Sequence, residues 1–250
     1  MTLAQCANIN FLHADPHRLP FQIGEHLTFK ANFGIINAGE ATLTITEGDS
    51  ISGHGCFLIQ ARITTNSFFD VFYKIRDKLD SYWDIEKLVS RKFVKRLSEG
   101  SYRQFRIHYN FPEDTLTYYV KIHTDSQERE ELKTLPNPQD PLSAIYYIRV
   151  QDFKVGDSFF ANVITDGRNL QIKVTVLEKK PLKTIFGTRE CFKLHLTAIN
   201  EEIEKQEGET SIWVTADEYK TPVRIITGLK VGSFTFELQN AEKVNLPLAG

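Results

Sequence analysis

The chain has one methionine, two tryptophans and three cysteines in 250 residues, and most of what it lacks excludes something. Cys6, Cys56 and Cys191 show no metal-ligand spacing, and their odd number rules out a fully paired disulfide framework while leaving one Cys56 to Cys191 bridge open. No run reaches the roughly 20 apolar residues of a membrane-spanning helix, so the chain is not read as an integral membrane protein. The basic and apolar segments of a signal peptide do not follow Met1. TLAQC faintly resembles the end of a bacterial lipoprotein signal, with Cys6 as the lipidated residue, but Gln5 is an atypical neighbour for that cleavage. A flexible N-terminal arm over residues 1–20 is the favoured reading. Neither sign of charge prevails, with 30 Lys plus Arg against 32 Asp plus Glu, and no nucleic-acid partner is expected. Glycine-rich phosphate cradles are missing as well: INAG and ITGLKVG lack the strand, turn and helix context, and no GxSxG elbow occurs.

What the chain does have is phenylalanine, 18 in all, set in alternating patterns. TFKANFG, ATLTITE, CFLIQARI, SYRQFRIHYNF and TLTYYVKIH alternate apolar with polar residues. So do LQIKVTVLE, CFKLHLTAI, TSIWVTAD, VRIITGL and SFTFELQ further on. The separators carry turn chemistry, and Asp166-Gly167 between two strand patterns is the strongest hairpin signal. The expected fold is all-β: a large antiparallel curved sheet, flattened barrel or sandwich, with one or two short helices.

The pattern also repeats. FQIGE at Phe21 returns as FKVGD at Phe153, LTITE at Leu43 as VTVLE at Val174, and the Cys56-Phe57 pair as Cys191-Phe192. SYW at Ser81 returns as SIW at Ser211, and GSY at Gly100 as GSF at Gly232, all with offsets between 130 and 135 residues. One β domain over residues 21–238 is expected, built from two similar halves, about 21–125 and 153–238. Residues 140–150 would be a helical linker and 239–250 a tail.

Two stretches break the strand pattern. In QDPLSAIYYIR, Asp140 is an N-cap residue and Pro141 suits the first helical position, which predicts a helix running through Arg149. In SFFDVFYKIRD, the spacing of Phe68, Phe69, Phe72 and Tyr73 predicts one helical turn capped by Ser67, with strand resuming near Lys74.

FxxGExLxFxxxxGxINAGEA at 21–41, DPLSAIYYIR at 140–149, VGD at 155–157 with the DG hairpin, and SIWVTADEYKTPVRI near the C-terminus together resemble the domain-of-unknown-function 3108 family. The resemblance covers most of the chain, from about Phe21 to Leu238. It implies an all-β bacterial protein of the periplasm or cell envelope with no established activity, and it supplies no catalytic residues.

Searched directly, the residues offer little catalytic chemistry. His26, His54, His108, His123 and His195 are scattered, and a structural role is the favoured reading of each. His13 and His17 flank Pro16 in the expected arm, which argues against a metal site, and no cofactor is expected. Glu25 and Asp157 hold equivalent repeat positions, as do Glu47 and Glu178, yet acids after glycine and at strand ends are ordinary turn residues. The aromatics remain. Phe68, Phe69, Phe72, Tyr73, Tyr146 and Tyr147, with Arg149, are the candidate ligand-binding residues, if they line a cavity under a curved sheet. Three readings follow: a non-catalytic binder of a lipid or other hydrophobic small molecule, a structural or assembly module contacting an envelope protein, and, last, a hydrolase of envelope polymers.

Overall fold

The computed structural model describes residues 19–199, 209–228 and 232–246. Cys6, His13, His17 and nearly all of the expected arm lie outside the described residues, as do residues 247–250.

Alternating side chains make the strands and glycine turns join them. The first run is β1 (His26–Phe33), β2 (Ile36–Ile51), β3 (His54–Thr65), the one-turn helix α1 (Ser67–Asp70), β4 (Arg76–Asp84), β5 (Ser90–Glu99) and β6 (Tyr102–Phe111). Then come β7 (Leu116–Ile122), β8 (Gln127–Lys133), β9 (Pro138–Gln139) and helix α2 (Pro141–Arg149). The last run is β10 (Ser158–Thr165), β11 (Arg168–Thr184), β12 (Gly187–Ala198), β13 (Thr210–Thr215), β14 (Pro222–Gly228) and β15 (Ser233–Glu242). The fifteen strands among the described residues form one open sheet, ordered β8-β7-β6-β5-β4-β3-β2-β1-β15-β14-β13-β12-β11-β10-β9. Pairing is antiparallel throughout except between β9 and β10. The seam is β1 against β15, where Phe33 faces Phe234 and Leu27 faces Ala241.

The runs β1–β6 and β10–β15 are built alike at their entrances. Gly24 and Gly156 both have positive φ, 89° and 93°, which glycine adopts without strain. Gly24 N donates to Ile45 O at 2.7 Å and Ile45 N to Glu25 O at 3.1 Å; Gly156 N and Val176 N repeat this with Val176 O and Asp157 O, both at 2.9 Å. The tryptophans do not match so closely. Trp83 pairs opposite Phe57, whereas Val214 stands opposite Phe192 and Trp213 opposite Lys193, one residue out of step.

The bridge left open between Cys56 and Cys191 is not formed. Both are buried free thiols. They lie on β3 and β12, with β2, β1, β15, β14 and β13 between them in the sheet. Each thiol instead donates to a carbonyl two residues back, His54 O and Arg189 O, both at 3.4 Å. Burial pushes both thiols up to about 11, so they stay protonated and unreactive at neutral pH.

One face of the sheet carries the core. Leu27 pairs with Leu43, Ile45 with Ile59, Phe57 with Trp83 and Ser81 with Phe93, and α2 packs across this face. Leu142 and Tyr146 join the cluster of Phe21, Phe57 and Trp83. Ile148 packs with Val174, Val176 and Leu194, and Ala144 with Ala161, Val163 and Leu170. The helix between the two runs is therefore the plug that both of them close upon.

The far parts of the sheet meet through side chains rather than strand pairing. The Asp166-Gly167 turn rests on β5 to β7: Asp166 pairs with Lys95 at 2.7 Å, and Gly167 N donates to His108 Nε2 at 3.2 Å. A Cβ on Gly167 would come within 2.7 Å of the Tyr119 ring. Asn169 Nδ2 donates to Lys133 O at 2.8 Å, tying β11 to the end of edge strand β8.

Gly39 lies where an added Cβ would be 2.0 Å from Thr64 O, so Gly39→Ala should cost at least about 2 kcal/mol in urea unfolding. Gly55→Ala, whose Cβ would meet only Ile85 Cδ1 at 3.6 Å, should stay within about 0.5 kcal/mol. His108 is fully buried and, mainly through burial, lowered to about 4; it is neutral when folded. The unfolded chain binds its proton first, so this contribution is complete above about pH 6.5 and disappears as pH falls through about 4. Unfolding measured across that window should show a loss on the order of 3 kcal/mol from this group, and the slope should flatten in His108→Gln.

Candidate functional site

The seven sequence-selected residues fall into two places, one buried and one exposed. Tyr146 and Arg149 belong to the buried place. Asp140 starts α2 as expected: its Oδ1 accepts from Leu142 N at 2.9 Å and Ser143 N at 3.0 Å, while its own N–H donates to Ser143 Oγ at 2.8 Å. Ser81 Oγ donates to its other oxygen at 2.5 Å. Burial nonetheless pushes the Asp140 carboxyl up. Trp83 Nε1 donates to Gln139 Oε1 at 3.0 Å, so the helix start is fastened to β4.

The helix end is fastened more strongly. Arg149 Nη1 and Nη2 donate to Glu25 Oε1 at 2.6 Å and Oε2 at 2.9 Å; Nη2 also donates to Pro20 O at 2.8 Å, and Nε to Tyr219 O at 3.1 Å. Tyr146 OH donates to Glu25 Oε1 at 3.2 Å. Burial disfavours the Arg149 charge, but the Glu25 carboxylate outweighs that and holds the guanidinium above its usual range. Burial and the same carboxylate raise the Tyr146 hydroxyl well above its ordinary value. Both residues expected to line a pocket are engaged in internal bonds, and Tyr147 is half-buried beside them.

The exposed place is α1. Its cap is Asn66 rather than Ser67, because Asn66 is extended and its Oδ1 accepts from Phe69 N at 2.8 Å. Polar bonds hold this turn to the sheet: Asn66 Nδ2 to Asn37 O at 2.8 Å, Arg76 Nη2 to Asp70 Oδ2 at 2.6 Å, and Thr65 Oγ1 to Asp70. Those bonds hold the Asp70 carboxyl below its usual range. No residue of α1 is buried. Phe68 is 62% exposed, Val71 80%, Phe72 72% and Tyr73 45%, and Phe69 is half-buried. Ile35, Ile36 and Tyr102 are exposed on neighbouring turns and were missed in the sequence, where Ile35-Ile36 between Gly34 and Asn37 was the available signal.

The remaining candidates are apart from both places. Asp157 accepts from Lys154 N at 2.9 Å in its turn. Among the described residues, no group of three or more His, Cys, Asp or Glu side chains is placed to hold a metal. A shallow cleft of about 220 Å³ lies between the β11–β12 turn and β14–β15, lined by Leu182, Ile185, Val223, Arg224, Glu237 and Gln239. None of the selected residues borders it.

The model of a family described as a protein of unknown function, DUF3108, matches residues 28–239. The chain belongs to the DUF3108 family. No curated protein matches it. Among solved structures, a β-barrel-like DUF1849 protein from Brucella abortus aligns with this DUF3108 chain at a TM-score of 0.59 and 9% identity, covering 90% of this chain and 99% of that one. A candidate exported protein with a YmcC-like fold from Bacteroides fragilis aligns at 0.36 and 9%, covering 90% and 98%. A candidate lipoprotein from Parabacteroides distasonis aligns at 0.36 and 9%, covering 90% and 99%. The likeness to the Brucella protein is one of fold. No helix among the described residues is long and apolar enough to cross a membrane.

The stretches quoted from the sequence converge on the buried anchor, Glu25 from FxxGE, Tyr146 and Arg149 from DPLSAIYYIR, and the Tyr219 carbonyl from the DEYKTP stretch. Removing one charge strands the other, so Arg149→Met should destabilise by about 3–5 kcal/mol in urea unfolding. The double variant Glu25→Leu/Arg149→Met should lose less than Arg149→Met alone.

Proposed function

We propose that this protein is a non-enzymatic module of the bacterial cell envelope that acts by surface contact, through the exposed apolar end around α1, rather than by enclosing a ligand. The observation that carries this reading is the inversion at α1, where Asp70 is bonded to the sheet while Phe68, Val71 and Phe72 stand exposed. Soluble proteins ordinarily spend such side chains on the core, and an exposed cluster of them marks a contact surface. The interior supports the same reading, since Trp83, Tyr146, Phe93 and Ile148 fill the space beneath the sheet with 2% exposure or less. A carrier of a hydrophobic molecule would need that space. A hydrolase would need a nucleophile beside a base, and the buried thiols and paired carboxylates are poor material for one. Placement in the periplasm or envelope rests on the family resemblance.

The reading also takes β1–β6 and β10–β15 as two copies of one six-strand unit, supported by their matched entrance turns and matched cysteines. On this view Glu25 and Asp157 began as equivalent turn acids, and only Glu25 came to hold the central helix.

Native mass spectrometry with lipid extraction tests the carrier alternative. The expected result is the bare chain mass, and a reproducible stoichiometric hydrophobic adduct would overturn the proposal. In cells, a photo-crosslinking residue at Phe72 should trap a neighbouring envelope component, whereas one at Ile23, also exposed but single, should not. Equal trapping at both positions, or none at Phe72, counts against contact through α1.

A further inference from the structure

We infer that the surface contacted by the α1 end is a lipid bilayer rich in anionic phospholipid; this rests on the surface-contact reading above. The apolar residues are not spread over a flat face. They stand on three connections, Ile35 between β1 and β2, Phe68 to Phe72 between β3 and β4, and Tyr102 where β5 turns into β6. In an antiparallel meander these alternate connections all lie at one end of the sheet. Local contacts confirm that they neighbour one another: Asn66 of the α1 cap bonds to Asn37 beside Ile36, and a Cβ on Gly100 would lie 3.3 Å from the Tyr73 ring. Ile35 is 102% exposed, so its side chain touches nothing that would shield it. Side chains carried on separate tips suit a deformable apolar medium. A protein partner is better met by one continuous complementary patch.

The chemistry of the border points the same way. Tyr73 and Tyr102, exposed beside the apolar tips, are amphipathic rings of the kind that settle at the headgroup level of a membrane. Lys74 and Arg103 are exposed next to them; Arg103 Nη1 donates to Gly100 O at 2.8 Å and Tyr102 O at 2.7 Å, which holds this cation at the turn, and both side chains are long enough to meet phosphate oxygens. Of two acids described at this end, Asp70 is neutralised by an ion pair with Arg76 at 2.6 Å, whereas Glu99, bonded to the neutral Tyr73 hydroxyl at 3.3 Å, keeps its charge. An apolar tip, a tyrosine belt and a cationic border therefore follow one another in the order in which a bilayer presents acyl chains, interface and phosphate.

The test is flotation of the protein with vesicles of phosphatidylcholine alone, or of equal parts phosphatidylcholine and phosphatidylglycerol, with analytical ultracentrifugation alongside. Wild type should float with the anionic vesicles. Phe68→Ser/Phe72→Ser should lower partitioning at least about tenfold on both compositions, and Lys74→Gln/Arg103→Gln should lower it roughly 30-fold on anionic vesicles only. All the substituted residues are exposed or at most half-buried, and circular dichroism checks that the variants stay folded. Trp83 and Trp213 are buried, so Phe72→Trp adds a reporter whose emission should shift to the blue on contact. Equal flotation of wild type and Phe68→Ser/Phe72→Ser would overturn the inference, since the lipid contact would then lie elsewhere. Absence of flotation together with self-association that Phe68→Ser/Phe72→Ser abolishes would also overturn it, while leaving surface contact standing with a second copy as the occupant. Absence of both flotation and self-association, with no crosslinks at Phe72, would remove both readings.

Discussion

The buried pairing of Glu25 with Arg149 is the constraint on which the rest of the molecule depends. Two charges taken out of water are tolerated only where their bonds are nearly complete, and here the guanidinium reaches both carboxylate oxygens and two backbone carbonyls. The arginine, at the end of α2, thus joins two other stretches of chain, the entrance to β1 and the turn between β13 and β14. Satisfying one arginine therefore fixes the end of the helix against β1 and the β13–β14 turn, on either side of the β1 to β15 seam. With α2 so placed, Leu142, Ala144, Tyr146 and Ile148 each enter a core cluster.

On the proposed reading, the packed core beneath α2 shifts the question of function outward. The same physics that makes the Glu25 and Arg149 pair expensive makes a cluster of solvated phenylalanines expensive, since each gives up the gain of burial. At α1 this arrangement is enforced by Asn66, Thr65, Asp70 and Arg76, whose polar bonds face the sheet and leave the apolar side chains outside. The two places are thus opposites in chemistry: charge held inside by complete bonding, apolar surface held outside by polar bonding.

An open fifteen-stranded sheet has two edges to protect. β8 does so by composition, because QEREELK is almost entirely charged and exposed on both faces, which discourages pairing with another chain. The other edge is the two-residue β9, joined directly to the helix that plugs the core. Tying β11 to the end of β8 through Asn169, and seating the Asp166-Gly167 turn on Lys95 and His108, curls the sheet without closing it into a barrel.

Much of this was legible in the sequence because it is local. Alternation marks most strands, Asp140-Pro141 marks the start of α2, and glycine marks turns where φ must be positive. Strand β8 escaped because a strand exposed on both faces has no alternation to read, and the α1 cap was misplaced by one residue because Asn66 and Ser67 are both competent caps. The aromatics were found, but their burial was not. Phe72 and Tyr146 look alike in sequence, each in an apolar cluster with spacings of three and four. Periodicity says which residues share a side of an element and nothing about what covers that side. Strand order, the β1 to β15 seam and the meeting of Glu25 with Arg149 across 124 residues were decided by the tertiary structure alone, since burial and charge pairing depend on which distant surfaces come together.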